Sequence, residues 1–186
     1  MVLIRSYLTY VCTFLFDVVF ASGSVAGVYY AKNVFNASPT ELGLLSLIMA
    51  CVYVVGSFVS GRLSDRWGRR GNIVVACLLN SLALLAAPHT GRLGHLFVVL
   101  AACSLAQSFF WPAIEADISD HSTPAELPRR LGRFNVAWSL GIMAGSLGAG
   151  WLGQYVGFEF VFRMAAVVAL LALLAYAFRV FVPELG

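Results

Sequence analysis

Apolar residues fall along this chain in six long runs, separated by short stretches that are polar or carry glycine and proline. The runs cover about 7–31, 41–61, 72–87, 95–114, 134–156 and 158–182. Each is close to the roughly 20 residues that a helix needs to cross a bilayer. Between them stand Asn36-Ala37-Ser38-Pro39 and the segments 61–71, 88–94, 119–133 and 153–157, all with the composition of turns. None of the runs shows the ten-residue alternation of a membrane strand, and lipid offers no partner to open backbone groups. The pattern therefore predicts an all-α membrane protein of six transmembrane helices.

Composition narrows the class further. Of 186 residues, 60% are hydrophobic and 11% charged, with a mean hydropathy of +0.85. A soluble domain is about 45–50% apolar and about 25% charged, so the solvent for most of this surface is the lipid bilayer. The net charge of +3 is too small for nucleic-acid binding, and the arginines sit in short turns rather than on one face. Cys12, Cys51, Cys77 and Cys103 each lie inside an apolar run and read as small packing residues rather than a disulfide framework or a metal site. The first run begins like a secretory leader, with Arg5 before apolar residues. Asp17 interrupts it and the apolar character continues to Tyr30, which fits a span instead.

Charge also orients the chain. One side holds Arg5, Arg62, Arg66, Arg69, Arg70, Arg129, Arg130, Arg133 and Arg179, the other only Lys32, Arg92 and Arg163. Nine against three predicts that both termini lie in the cytoplasm; the chain is expected to be a multi-pass protein of the cell (inner or plasma) membrane. The sixth run is apolar nearly all round, as expected of a lipid-facing helix. The first, fourth and fifth carry polar residues on one face and are expected to line something wet.

The candidate chemistry sits in four places. Between the second and third runs lies Gly61-Arg62-Leu63-Ser64-Asp65-Arg66-Trp67-Gly68-Arg69-Arg70-Gly71. A basic inner loop explains the arginines but not the glycines and the lone aspartate in register with them. Gly61 is expected to let the second helix approach a neighbour closely, and Gly68 to supply the tight turn. Asp65, a single acid among arginines, is expected to be ionised and hydrogen-bonded.

In the first run Asp17 lies twelve residues beyond Arg5, roughly 18 Å at 1.5 Å per residue and so near mid-bilayer. Thr9, Thr13, Asp17, Ala21 and Ser24 share its helical stripe. A charge at that depth costs about 2.5–3.5 kcal/mol. Asp17 is therefore either hydrogen-bonded to neighbouring helices as a structural group or a site of proton uptake and release.

The fourth run offers Ser104, Gln107, Ser108, Trp111 and Glu115 in one arc, with Gln107 and Trp111 deep enough to touch a solute. Glu115, Asp117 and Asp120 lie nearer the inner end and are expected to pair with Arg66, Arg69 or Arg70. Asp117 and His121 are four apart, but no further spaced ligand makes them a metal site. Asp17 with aromatic neighbours suits a cationic or amphipathic drug; Asn135, Gln107 and Trp111 suit a sugar equally. In the fifth run a small-residue stripe of Ala137, Gly141, Gly145, Ala149 and Gly153, with Gly148 beside it, predicts close helix packing.

The loop resembles, at every specified position, the signature loop G-x-L-[SA]-D-R-x-G-R-[RK] of the major facilitator superfamily, and it follows the second span as it does there. Ser38-Pro39-Thr40-Glu41-Leu42-Gly43, Phe110-Trp111-Pro112-Ala113, Asn135-Val136-Ala137-Trp138, the turn 156–162 and Val182-Pro183-Glu184 look like further family features. The stretch 141–150 is similar to the antiporter motif G-x-x-x-G-P-x-x-G-G, but with Ser146 for the proline and Ala149 for a glycine. The fourth run lacks the arginine followed by glycine that many members carry there.

What the resemblance implies is the N-terminal six-helix half of a secondary transporter, built as two inverted three-helix repeats. Gly61, Asp65, Arg66, Gly68, Arg69 and Arg70 would form the conformational latch. Thr13, Asp17, Gln107, Trp111 and Asn135 would serve the solute or the coupling proton. Its partners would be a small solute, protons and a second six-helix half, with no cofactor and no enzymatic reaction. Because the chain stops just after the sixth run, it is expected to be a half or fragment of a twelve-span protein, or to pair with itself or another half. A non-transporting membrane scaffold or sensor is the alternative. A membrane enzyme has no Ser/His/Asp set or nucleotide loop to support it.

Overall fold

The computed structural model describes the backbone of residues 2–181 and the side chains of 7–66 and 68–178. Arg5, Arg179 and the segment Val182-Pro183-Glu184, used above for orientation and for the end of the sixth span, lie outside the described side chains or residues. The elements are α1 (Val2–Phe35), α2 (Pro39–Trp67), α3 (Arg69–Ala86), a 3₁₀ turn (Ala87–His89), α4 (Leu93–Asp120), α5 (Leu127–Tyr155) and α6 (Phe158–Phe181). All six α-helices are long and apolar enough to span a bilayer.

The helices overrun the apolar runs because i→i−4 bonding needs no hydrophobic side chain once a helix has left the hydrocarbon. The difference is largest at the segment 119–133. Here α4 passes through Pro112 and ends at Asp120, and α5 begins at Leu127 with Pro128 in its first turn, where the missing N–H costs nothing. Other boundaries have local causes. Ser38 and Glu41 form a reciprocal capping box: Ser38 N–H donates to Glu41 Oε2 at 2.7 Å and Glu41 N–H to Ser38 Oγ at 3.3 Å. Gly68, at φ +84°, breaks the chain between α2 and α3 in a backbone region that side chains disfavour, as the sequence leads one to expect of it.

Packing shows the internal repeat. α1 packs on α5 and α6, and α4 packs on α2 and α3; α3 meets α6, and α1 meets α4. Exchanging α1 with α4, α2 with α5 and α3 with α6 returns the same set of partners. An offset of three helices reverses direction across the membrane, so these are two inverted three-helix repeats. The repeats even use similar devices. Ser22 on α1 donates to Gly145 O on α5 at 3.2 Å, and Ser104 on α4 donates to Met49 O on α2. Glycines on α5 press on α1, and Gly56 on α2 presses on Ser108 of α4.

The apolar core is divided in two. One cluster surrounds Tyr30, Leu84, Leu96 and Phe162, the other Phe16, Phe110, Ile114 and Tyr176. In the second, the Phe16 and Phe110 rings stack with centroids 3.7 Å apart and planes 3° from parallel. Polar residues are buried as well, among them Ser22, Asn80, Ser104 and Gln107.

The picture of α6 as simply the lipid-facing helix needs correction. It buries Phe162, Ala165, Ala169, Ala172 and Tyr176 on one stripe against α1 and α3. The least enclosed spans are instead the symmetry mates α2 and α5: 11% and 22% of their apolar windows are buried, against 56% in α1 and 39% in α6.

Candidate functional site

The turn between α2 and α3 gathers one positive centre and two acids. Arg69, in the first turn of α3, donates from Nη1 to Asp65 Oδ1 at 2.7 Å and to Ser64 Oγ at 3.1 Å, both on α2. Its Nε donates to Asp120 Oδ2 at 3.2 Å, on the last turn of α4. One guanidinium thus ties three helix ends together, which its planar fork allows and an ammonium would not. Just below, buried Asn72 donates from Nδ2 to Ser60 O at 2.9 Å, and Ser60 Oγ donates to Ser108 O, extending the tie from α3 through α2 to α4.

Three expectations for this region are corrected. Gly61 has nothing within 4 Å of where a Cβ would stand, so it serves no close approach here. Of the three acids expected to reach the loop, only Asp120 does. Asp117 is directed toward His121, with Oδ1 and Nδ1 3.7 Å apart, and Glu115 is exposed on α4 one turn below Trp111. Arg66 and Arg70 form no ion pair among the described residues. The adjoining α4–α5 turn is held separately: Arg130 donates to His121 O at 2.8 Å and faces Glu126 at 3.5 Å.

The polar residues expected to line a cavity do not form one cluster. Thr13 and Asp17 are fully buried, and Gln107 nearly so. The stripe of α1 that carries Thr9, Thr13, Asp17 and Ala21 is turned into the bundle rather than toward water. Its upper part meets α5: a Cβ on Gly141 would come within 2.6 Å of Phe14 O and 2.7 Å of Asp17 Cβ, and Gly145 lies as tightly on Val18. Gly148, expected in this packing, has nothing within 4 Å. It stands off the 141-145-149-153 stripe whose members are buried. Both Asp17 carboxylate oxygens lie buried without a hydrogen-bond partner among the described residues. Gln107 shares a small cavity with Ser24 and Asn80.

Trp111 is half-buried and stands edge-on to Phe110, Phe134 and Trp138, the last two from α5. Asn135 is exposed on α5. Trp111 is thus partly open and Asn135 exposed, whereas Asp17, Thr13 and Gln107 are buried.

The profile of the Major Facilitator Superfamily matches residues 9–185 of the chain. The chain belongs to the major facilitator superfamily. It is 29% identical over 152 residues to Multidrug resistance protein 1 of Bacillus subtilis, covering 82% of this chain and 39% of that protein. Solute carrier family 22 member 18 of Mus musculus is 29% identical over 145 residues, covering 76% of this chain and 36% of the relative. The cis,cis-muconate transport protein of Acinetobacter baylyi is 26% identical over 153 residues, with 82% and 36% covered. The crystal structure of a bacterial homologue of the human lysosomal transporter Spinster, inward-facing and unoccupied, superposes with a TM-score of 0.73 at 18% identity, covering 97% of this chain and 43% of that one. The chain thus spans about two fifths of the length of these superfamily proteins.

Within this superfamily bundle Ser60, Asn72 and Asn80 are buried polar residues that the sequence pattern did not single out. Their signal was present: each is a polar residue inside or beside an apolar helix, where an unsatisfied group is expensive. What the sequence did not supply was the partner, which the structure gives for Ser60 and Asn72.

Proposed function

We propose that this chain is the N-terminal half of a secondary active transporter that moves a small solute by alternating access together with a second six-helix half. Both termini lie in the cytoplasm and the protein resides in the cell membrane. The observation that carries the reading is the Arg69 knot at the arginine-rich end of the bundle: an exposed polar tie among α2, α3 and α4 that can close and open without unfolding any helix. The transport names of the relatives support it. So do the bare outer faces of α2 and α5, which leave apolar residues such as Phe58 and Leu147 uncovered in a single bundle.

In this reading Asp65, Arg66 and Arg69 form the latch, with Gly68 as its hinge and Gly61 and Arg70 beside it. Trp111 and Asn135 face the solute. Aromatic Trp111 and Trp138 favour an organic molecule with a flat or apolar part, drug or sugar. Asp17, enclosed between α1 and α5, serves as the coupling proton's site, reached when the two helices part. A buried carboxylate with no hydrogen-bond donor is costly to keep, and that cost supports a role in the cycle.

Transport into vesicles carrying the complete protein tests both parts. Arg69→Gln is expected to abolish flux while leaving the chain in the membrane, and Asp17→Asn to abolish its response to an imposed pH gradient. Normal flux in the first variant removes the latch, and an unchanged pH response in the second removes Asp17. A chain that stays monomeric in membranes under crosslinking leaves the scaffold reading instead, because one bundle encloses no pathway.

A further inference from the structure

The seam between the two repeats contains a polar gap. Ser24 of α1, Asn80 of α3 and Gln107 of α4 border one cavity of about 10 Å³, and most of its remaining wall is apolar, including Val19, Leu84 and Leu100. Ser24 and Asn80 belong to the first repeat and Gln107 to the second. Asn80 stands twelve residues along α3 from the turn at Gly68, roughly 18 Å at 1.5 Å per residue, so the gap lies deep in the membrane.

The polar groups around it are not paired with one another. Asn80 is 1% exposed and Gln107 7%. The Nδ2 group of Asn80 is buried without a hydrogen-bond partner among the described residues, and no hydrogen bond joins the three side chains. An amide donor left alone among apolar side chains is expensive, and within a bilayer the lipid brings no acceptor to it. Other polar side chains of α3 meet this cost directly: Asn72 donates to Ser60 O at 2.9 Å and Ser81 to Ala166 O at 3.0 Å. Asn80 has a cavity where those residues have a carbonyl.

Size and chemistry select the occupant. The smallest cavities that hold a water measure about 10–15 Å³, and a buried water makes about three hydrogen bonds. This cavity has room for one water and three polar side chains on its wall. Asn80 Nδ2 needs an acceptor, whereas Gln107 Oε1 and Ser24 Oγ can accept, and water is the smallest neutral molecule that serves both needs. A metal cation suits the site less well. Its wall carries no carboxylate, and Asp17, the acid of α1, is seven residues from Ser24, roughly 10 Å along the helix. Phe20, Ser24 and Met49, the half-buried members of the wall, mark the side from which a water enters.

We propose that the cavity binds one ordered water, which accepts from Asn80 Nδ2 and donates to Gln107 Oε1 and Ser24 Oγ. The water completes a joint among α1, α3 and α4 that no direct hydrogen bond makes. It gives Gln107 a place in the seam between the repeats rather than at the solute. The site is independent of the latch, of the role of Asp17 and of which solute is carried.

Hydroxyl-radical labelling of the complete protein in vesicles, with radicals generated by X-ray pulses, is the test, because radicals born from a bound water attack the side chains beside it. Cys103 lines the cavity, whereas Cys77 is buried in the apolar cluster around Phe16 and Phe110. Cys103 should be oxidised several-fold more than Cys77. N80L and Q107L, each of which removes one polar partner, should bring Cys103 down to the level of Cys77. S81A, which breaks a direct bond of the neighbouring α3 residue, should leave the ratio unchanged. Equal oxidation of the two cysteines in the unaltered protein, or an unchanged ratio in both N80L and Q107L, overturns the site. So does a high-resolution density map with no peak within hydrogen-bond distance of Asn80 Nδ2. Thermal stability that rises when sodium replaces choline, and no longer does so in N80L, would mean that a cation fills the cavity and would also overturn the water.

Discussion

Arg69 satisfies two carboxylates from two helices, and its value lies in geometry more than in energy. The acids are largely exposed, 70% for Asp65 and 53% for Asp120, and exposed ion pairs contribute about 0.2–1 kcal/mol each. Arg69→Lys keeps the charge but not the fork. It is therefore expected to change the unfolding free energy by no more than about 1 kcal/mol while losing most of the flux measured in vesicles. A large loss of stability in detergent with flux intact would mean that the tie holds the fold instead.

The glycines make the opposite kind of prediction. Gly145→Ala places a methyl against Val18 O, and backbone does not yield as a side chain tip does, so a loss of roughly 2–4 kcal/mol is expected. Gly148→Ala and Gly61→Ala meet nothing and should be neutral or stabilise by about 0.5–1 kcal/mol through helix propensity. Unfolding in mild detergent with added sodium dodecyl sulfate separates these outcomes. The contrast also shows what a sequence reveals about glycine. The turn at Gly68 was legible because a loop between two helices demands it. For Gly61 and Gly148, a helical glycine looks the same whether it faces a backbone or lipid, and only the rotation of the helix decides.

At the scale of elements, that rotation is the recurring unknown. The polar stripe of α1 is visible at 3.6-residue spacing, but in a membrane a polar face turns toward water or toward another helix with equal licence. Here Ser22 found a carbonyl on α5, and Thr13 Oγ1 found Thr9 O of its own helix at 3.0 Å. The number and order of helices were legible because lipid demands long apolar runs. Their ends were not, because helix continues beyond the apolar run wherever caps permit. The cap before α2 is a case where local chemistry does set an end. Ser38→Ala removes the acceptor for Glu41 N–H and one half of the capping box, at a cost of about 0.5–2 kcal/mol. Hydrogen exchange should show faster exchange confined to the first turn of α2, with α3 and α6 unaffected. Uniformly faster exchange would mean the cap supports the bundle rather than one helix end.

For the whole molecule, the inverted repeat explains why the bare faces come as a pair. Whatever geometry exposes α2 in the first repeat exposes α5 in the second, so a single bundle presents two apolar flanks related by its own pseudo-symmetry. Phe58 on α2 is 75% exposed and Leu147 on α5 68%. Lipid would tolerate both, so exposure alone does not decide what covers them. The coverage of the relatives does bear on it: two fifths of a superfamily protein leaves room for a second bundle of the same size. Nitroxide labels at Phe58 and Leu147 in the complete protein should be shielded from lipid-dissolved oxygen, whereas labels at Leu82 on α3 and Leu174 on α6, also exposed in this bundle, should relax freely. The α3 and α6 labels are the internal control, because they sit on the repeat's other symmetric pair. If all four relax alike, α2 and α5 face lipid as α3 and α6 do, no second bundle closes on them, and the rocking that alternating access requires has no surface to rock on.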